Sequence, residues 1–194
     1  MIEVEAKFAV TRPDVLLNRL QTLWPDLTFQ DSEEVDEYFQ HPVRDFRVTD
    51  EALRIRRTSD SVHLTWKGPR LDAVTKSRKE LELPLAVAPA TLAHSADQLN
   101  AILLALGFTT AGVVRKTRRS TVVHFEGQAV TCCLDQVQGL PWYAELELLC
   151  AEADRQQATE LLLRLAQILE LHQSERRSYL ELVQIAARDS AATV

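Results

Sequence analysis

The chain of 194 residues holds only three cysteines, five glycines and one methionine. Cys132 and Cys133 are adjacent and Cys150 is left over, so there is no disulfide framework and no CxxC spacing. A reducing compartment fits that usage. The five histidines (His41, His63, His94, His124 and His172) never stand at i,i+4 or beside a cysteine pair, and a zinc site has no support. No uninterrupted apolar run reaches the about 18 residues that a spanning helix needs. Nor is there an excess of positive charge. The net charge is -6, the wrong sign for a protein that holds nucleic acid by neutralising phosphates. The N-terminal Met1-Ile2-Glu3-Val4-Glu5 places carboxylates where a signal peptide has a basic end and an apolar run. A cytoplasmic protein is expected, with one domain over residues 1–188 and a frayed tail over 189–194.

What the sequence does have is alternation. Residues 2–10 set Ile2, Val4, Ala6 and Phe8 against Glu3, Glu5 and Lys7, a period-2 strand. Strands are likewise expected near 35–39, 52–58, 61–67, 77–83, 114–125, 129–137 and 143–149. Thr11 is read as an N-cap ahead of Pro13, opening a helix whose apolar face is Val15, Leu16, Leu20 and Leu23. Residues 43–50 read as a loop and Gly68-Pro69 as a turn, followed by a polar loop to Lys76. Ser95 is placed as the cap of a helix ending at Gly107. Helices over 153–171 and 178–188 complete an α+β pattern.

The polar parity of these strands is heavily charged. Two residues along a strand span about 6.5–7 Å. Glu3/Glu5, Glu80/Glu82 and Glu145/Glu147 therefore each put two carboxylates on one face, and Arg54/Arg56 and Lys116/Arg118 do the same with cations. Eight strands sharing such a face suggest an eight-stranded antiparallel β-barrel with a charged interior and helices packed on the outside. Buried unpaired charges are very costly, so that interior makes sense if it is wet and binds something highly charged. Carboxylates without histidine or thiol partners suit a hard cation such as Mg²⁺ or Mn²⁺, and clustered Arg and Lys suit phosphate. Alternation alone leaves a second reading equally open, a solvated face laced with cross-strand ion pairs. Asp36 and Tyr38 fit either a tunnel mouth or an ordinary edge strand.

Glu3-Val4-Glu5-Ala6-Lys7 is an ExExK motif. It is followed in order by Leu53-Arg54-Ile55-Arg56, Trp66-Lys67-Gly68-Pro69, Arg78 with Glu80, Lys116 with Arg118, Leu134-Asp135, Glu145-Leu146-Glu147 and Arg177-Ser178-Tyr179. Over residues 2–183 this set resembles the CYTH superfamily, the triphosphate tunnel metalloenzymes. Asp36-Glu37-Tyr38-Phe39, Thr49 to Arg54 and Gly139 to Glu147 are most similar to its class IV adenylyl cyclase branch.

The resemblance implies a tunnel that binds a small-molecule triphosphate with Mg²⁺ or Mn²⁺, without nucleic-acid or membrane partners. It implies Glu3, Glu5, Glu80, Asp135, Glu145 and Glu147 as metal-side carboxylates. Lys7, Arg54, Arg56, Lys67, Lys116, Arg118 and Arg177 would hold phosphates, with Glu3, Glu5 and Lys7 at the catalytic centre. Many members have Lys where Arg177 stands. Some class IV cyclases carry a His-Phe pair upstream of the motif, where Met1 and Ile2 precede Glu3 here. Cyclisation of ATP to cyclic AMP with release of pyrophosphate is the first reading. Hydrolysis of tripolyphosphate, a nucleoside triphosphate or thiamine triphosphate is the alternative. A non-catalytic polyphosphate-binding module, the third, would be expected to lack the carboxylates. A monomer and a homodimer both remain open.

Overall fold

The alternating segments pair into a ring. In the computed structural model, which describes residues 2–71, 75–85, 88–172 and 174–192, eight strands run β1 (Ile2–Val10), β2 (Gln30–Gln40), β3 (Ala52–Arg57), β4 (Val62–Arg70), β5 (Arg78–Pro84), β6 (Thr109–Phe125), β7 (Gln128–Val137) and β8 (Trp142–Cys150). They close in the order β1-β5-β4-β3-β2-β6-β7-β8, and each neighbouring pair is antiparallel. The expected eight-stranded antiparallel barrel is the observed one. Because side chains alternate across a strand, one parity of every strand points inward and the other outward.

The helices are α1 (Pro13–Leu23), α2 (Phe46–Thr49), α3 (Leu92–Ala105), α4 (Arg155–Ile168) and α5 (Tyr179–Ala192). α1 and α4 cover the outward face of β1, β7 and β8, where Val4, Phe8, Leu146, Leu162 and Leu165 form an apolar core. α3 packs Leu92, Ala96 and Leu103 over Phe39, Leu53 and Ile55. A third cluster lies on the inward parity: Tyr38, Val114, Val137 and Tyr143 meet Tyr179 and Leu182 of α5. That cluster is an apolar plug, and it confines the charged interior to the rest of the barrel. No helix among the described residues is long and apolar enough to cross a membrane.

Several boundaries differ from the sequence expectation. α1 starts with Pro13 at N1, but its N-cap is Arg12, with no side-chain cap from Thr11, and Val15 and Leu23 are largely exposed while Leu16 and Leu20 are buried. The 43–50 loop contains α2, capped by Asp45, whose carboxylate accepts from the Arg47 amide. Gly68-Pro69 does not turn the chain. β4 continues to Arg70, and a register shift between Lys67 and Arg70 accommodates the proline, which has no N–H to donate. α3 begins at Leu92, fed by a short turn at Pro89–Thr91, so Ser95 lies inside the helix. Ser178 and Glu181 form a reciprocal capping box on α5, the Glu181 amide donating to the Ser178 hydroxyl and the Ser178 amide to the Glu181 carboxylate. The helix runs through most of the expected tail to Ala192; residues 193 and 194, like residues 72–74 of the expected polar loop, lie outside the described residues.

Candidate active site

Away from the plug, the inward residues enclose a cavity of about 450 Å³. Its walls differ in charge. Glu145 and Glu147 of β8, Glu3 and Glu5 of β1, and Glu80 and Glu82 of β5 lie on three consecutive strands of the ring and form an acidic wall. Lys67 of β4, Arg54 and Arg56 of β3, and Lys116 and Arg118 of β6 form a basic one; Lys76, Arg78 and Arg176 also line the cavity.

The charges are held in place by one another. Arg56 grips Asp36 with two bonds, Nε to Oδ1 at 2.6 Å and Nη2 to Oδ2 at 2.7 Å, and reaches Glu34 at 3.0 Å. Arg54 meets the same Asp36 at 3.2 Å. Arg118 makes a matching fork on Asp135, both bonds 2.7 Å, and also pairs with Glu145 and Glu147. Lys116 lies 3.2 Å from Glu34 and 3.5 Å from Asp135. Where the two walls meet, Lys67 bridges its cross-strand partner Glu80 at 2.7 Å and Glu3 at 3.0 Å. Such planar arginine forks fix the orientation of the guanidinium as well as its charge. Among the described residues two donors are left over: the buried Nε–H groups of Arg54 and Arg78 have no acceptor there. Both residues line the cavity, and unsatisfied cationic donors there suit an anionic ligand.

Titration follows from this crowding. Burial raises Glu147, and although Arg118 opposes it, Glu3, Glu145 and Glu5 help push the carboxyl up to about 7. Burial would raise Glu145 too, but Arg118, Lys76 and Lys116 outweigh it and hold the carboxyl well below the usual range. Burial likewise opposes the charge on Lys67, but Glu3 and Glu80 prevail and hold the ammonium above its ordinary value.

The structure brings Glu3, Glu5, Glu80, Glu145, Glu147, Arg54, Arg56, Lys67, Lys116 and Arg118 to the cavity wall. Three residues of the expected set stand elsewhere. Lys7 is fully buried beneath the plug, where it donates to the Arg177 carbonyl at 2.6 Å and sits 3.9 Å over the Tyr179 ring. Burial, with Lys76 beside it, pulls that ammonium down to about 7. Asp135 lies behind the wall, taken up by Arg118 and by the Tyr179 hydroxyl, which donates to it at 2.8 Å. Arg177 points outward onto Glu175, and its neighbour Arg176 lines the cavity instead. The first two are displaced by the aromatic plug, which needs filled space where the alternation alone would put wet charge.

Sequence reasoning gave no site role to Arg78, Thr65 or Glu82, although each shares its strand's inward parity with an assigned residue. It left Asp36 undecided and did not single out Glu34, and these two carboxylates hold the basic wall. Lys76 was missed because it projects from a connection rather than a strand, where no periodicity marks it.

No three acidic, histidine or cysteine side chains among the described residues are gathered as placed into a metal-holding group, the acids being drawn instead to lysines and arginines. The donor chemistry nevertheless fits a hard divalent ion. Glu5 and Glu147 are direct cross-strand neighbours, and the carboxylate crowding that hinders ionisation of Glu147 is what such an ion relieves.

The comparisons with known proteins agree with this geometry. The chain is 30% identical to MJ0240 of Methanocaldococcus jannaschii, which carries a provisional adenylate cyclase name, over 94% of this chain and 98% of that one. It is 28% identical to the adenylate cyclase CyaB of Aeromonas hydrophila, over 91% and 86% of the two chains. Among solved structures, the PH1819 protein of Pyrococcus horikoshii superposes with a TM-score of 0.79 at 35% identity, covering 94% of this chain and 98% of that one. The CYTH domain model matches residues 1–179. With the closed barrel and its charged cavity, that match places the chain in the CYTH family.

Proposed function

We propose that this protein is a divalent-metal-dependent enzyme that takes ATP into its barrel and forms cyclic AMP and pyrophosphate. The observation that carries the reading is the pairing of an acidic wall on β8, β1 and β5 with a basic wall on β4, β3 and β6 around one cavity. A triphosphate chelating a metal has the complementary division of charge. Glu3, Glu5, Glu145 and Glu147 would hold Mg²⁺ or Mn²⁺, with Glu80 beside them. The ion supplies Lewis-acid stabilisation of charge on phosphoryl oxygens.

The chain's own residues bind and orient. Arg54, Arg56, Lys116 and Arg118 accept the phosphates, and the unpaired Nε–H groups of Arg54 and Arg78 are donors ready for phosphate oxygens. In the reaction the ribose 3′-oxygen bonds to the α-phosphorus and gives up its proton to solvent water, while the bond from that phosphorus to the α–β bridging oxygen breaks and its electron pair leaves with pyrophosphate. The basic wall meets the negative charge growing on the departing pyrophosphate, and because its arginines are already fixed by Asp36 and Asp135, little reorganisation is needed. The adenylate cyclase names of the relatives favour cyclisation over other outcomes.

One observation favours the second reading, triphosphate hydrolysis. Among the described residues the apolar lining is limited to Ala52, Leu149 and the rings of Tyr38 and Tyr179, a small surface for a nucleobase. Product analysis with ATP, tripolyphosphate and thiamine triphosphate, each with Mg²⁺ or Mn²⁺, separates the two. Cyclic AMP with pyrophosphate supports the proposal. Orthophosphate from tripolyphosphate or thiamine triphosphate replaces it with a triphosphatase, and triphosphate binding without turnover replaces both with a binding module.

A further inference from the structure

Lys76, like Lys67 and Arg118, is paired with carboxylates that line the cavity, but unlike them it does not project from a strand. Arg54, Arg56 and Lys116 are anchored by Asp36, Glu34 and Asp135, carboxylates that do not line it. Lys76 instead drops from the β4–β5 connection onto the acidic wall, its Nζ 2.6 Å from Glu5 Oε1 and 3.8 Å from Glu145 Oε1. The backbone delivers it there. The Lys76 amide donates to the Glu5 carbonyl at 2.9 Å, and the Leu71 amide to the Ser77 carbonyl at 2.8 Å. The flanking Thr75 and Ser77 are fully buried, with their hydroxyls 2.6 Å apart. This ammonium is therefore held in register rather than swinging on an exposed stem.

Two carboxylates from adjacent strands within 4 Å of one ammonium are also the hard oxygen environment that a divalent ion seeks. The two cations cannot share it, because like charges at that spacing repel strongly in a site shielded from water. We propose that Lys76 is an internal cation that competes with the divalent metal for Glu5 and Glu145, and that metal binding releases its ammonium to the triphosphate. The inference rests on reading Glu5 and Glu145 as metal ligands. It makes metal and triphosphate binding mutually reinforcing, since each is favoured by the lysine position that the other selects.

Lys76→Gln tests this by calorimetric titration with Mn²⁺ alone, without substrate. A competitor that leaves the carboxylates free only about a tenth of the time weakens apparent affinity about tenfold, so the variant is expected to bind Mn²⁺ about tenfold more tightly. Its melting temperature should rise with Mn²⁺ by more than that of the wild type, and refolding that requires Mn²⁺ would be the same result in stronger form. Arg54→Gln removes equal charge from the far wall and should change Mn²⁺ affinity little. Equal tightening by both variants would mean a general field effect and overturn the proposal. Wild-type binding without tightening in Lys76→Gln would sink the role of Lys76 and leave the metal reading standing, whereas no Mn²⁺ binding by any of the three would sink both.

Discussion

Asp36 carries more of the site than its position outside the lining implies. It is almost wholly buried and receives both Arg54 and Arg56, so it sets the direction of two cavity-facing guanidinium groups at once. Burial would raise its carboxyl, but Arg54 and Arg56 overcome that and hold it well below the usual range. A depressed carboxyl stabilises the fold fully above its unfolded value of about 4, and that contribution is lost as pH falls through the folded value. Urea midpoints should therefore fall steeply below about pH 4, and Asp36→Asn should flatten that slope. The same variant should lose about 3–5 kcal/mol near neutral pH, because it removes the ion pair of buried Arg54 and leaves buried Arg56 with Glu34 alone. Glu5→Gln has a different signature. The carboxylate serves the cavity rather than the apolar core, so metal-dependent turnover should vanish while circular dichroism and the cooperative melt persist. Loss of the fold, or a full rate, would count against the metal assignment.

Among the elements, α5 decides where the charged interior ends. It approaches the barrel at Gly112, on the β2–β6 irregularity between Tyr38 and Phe39, where φ is +155°. A Cβ there would stand 2.6 Å from Leu180 Cδ1 of α5. Gly112→Ala should thus cost about 1–3 kcal/mol, from the strain of an L side chain at this φ together with the shift it forces on Leu180, and it should loosen Tyr179 from Asp135. Faster amide exchange over 179–192 than over β7 would show that the loss is local to α5. The outer barrel was legible in the sequence because the period-2 rule sorts every strand residue to one face or the other. The plug was not, because Tyr38, Val114, Val137 and Tyr143 share the inward parity with Asp36, Lys116, Asp135 and Glu145, and parity does not say how far along the axis water reaches. The ten wall residues were found by that rule together with the family motifs. Lys7 and Asp135 followed the same parity but fell at the depth where α5 fills the barrel, and Lys76 had no strand to place it.

For the whole molecule, the cavity stores like charge on each of two walls. Its internal ion pairs compensate the cost of burial without making the arrangement optimal for stability, since buried pairs often do no better than apolar residues of the same size. A ligand with the complementary charge should then stabilise the fold in proportion to how many wall groups it spans. At a concentration about 100 times its Kd, a ligand adds about 2.7 kcal/mol, which for a domain of this size raises Tm by roughly 5–10 °C. With Mn²⁺ present, tripolyphosphate should give a shift of that order and orthophosphate at the same concentration a much smaller one, because one phosphate cannot span Arg56 and the opposite wall. Arg56→Ala lowers the starting Tm by loosening Asp36, so the shift on adding ligand is the informative quantity. In that variant the tripolyphosphate shift should shrink severalfold while the small orthophosphate shift changes little. Differential scanning fluorimetry reads all four values, and an equal proportional loss for both ligands would mean that Arg56 holds the barrel together without touching the phosphate chain.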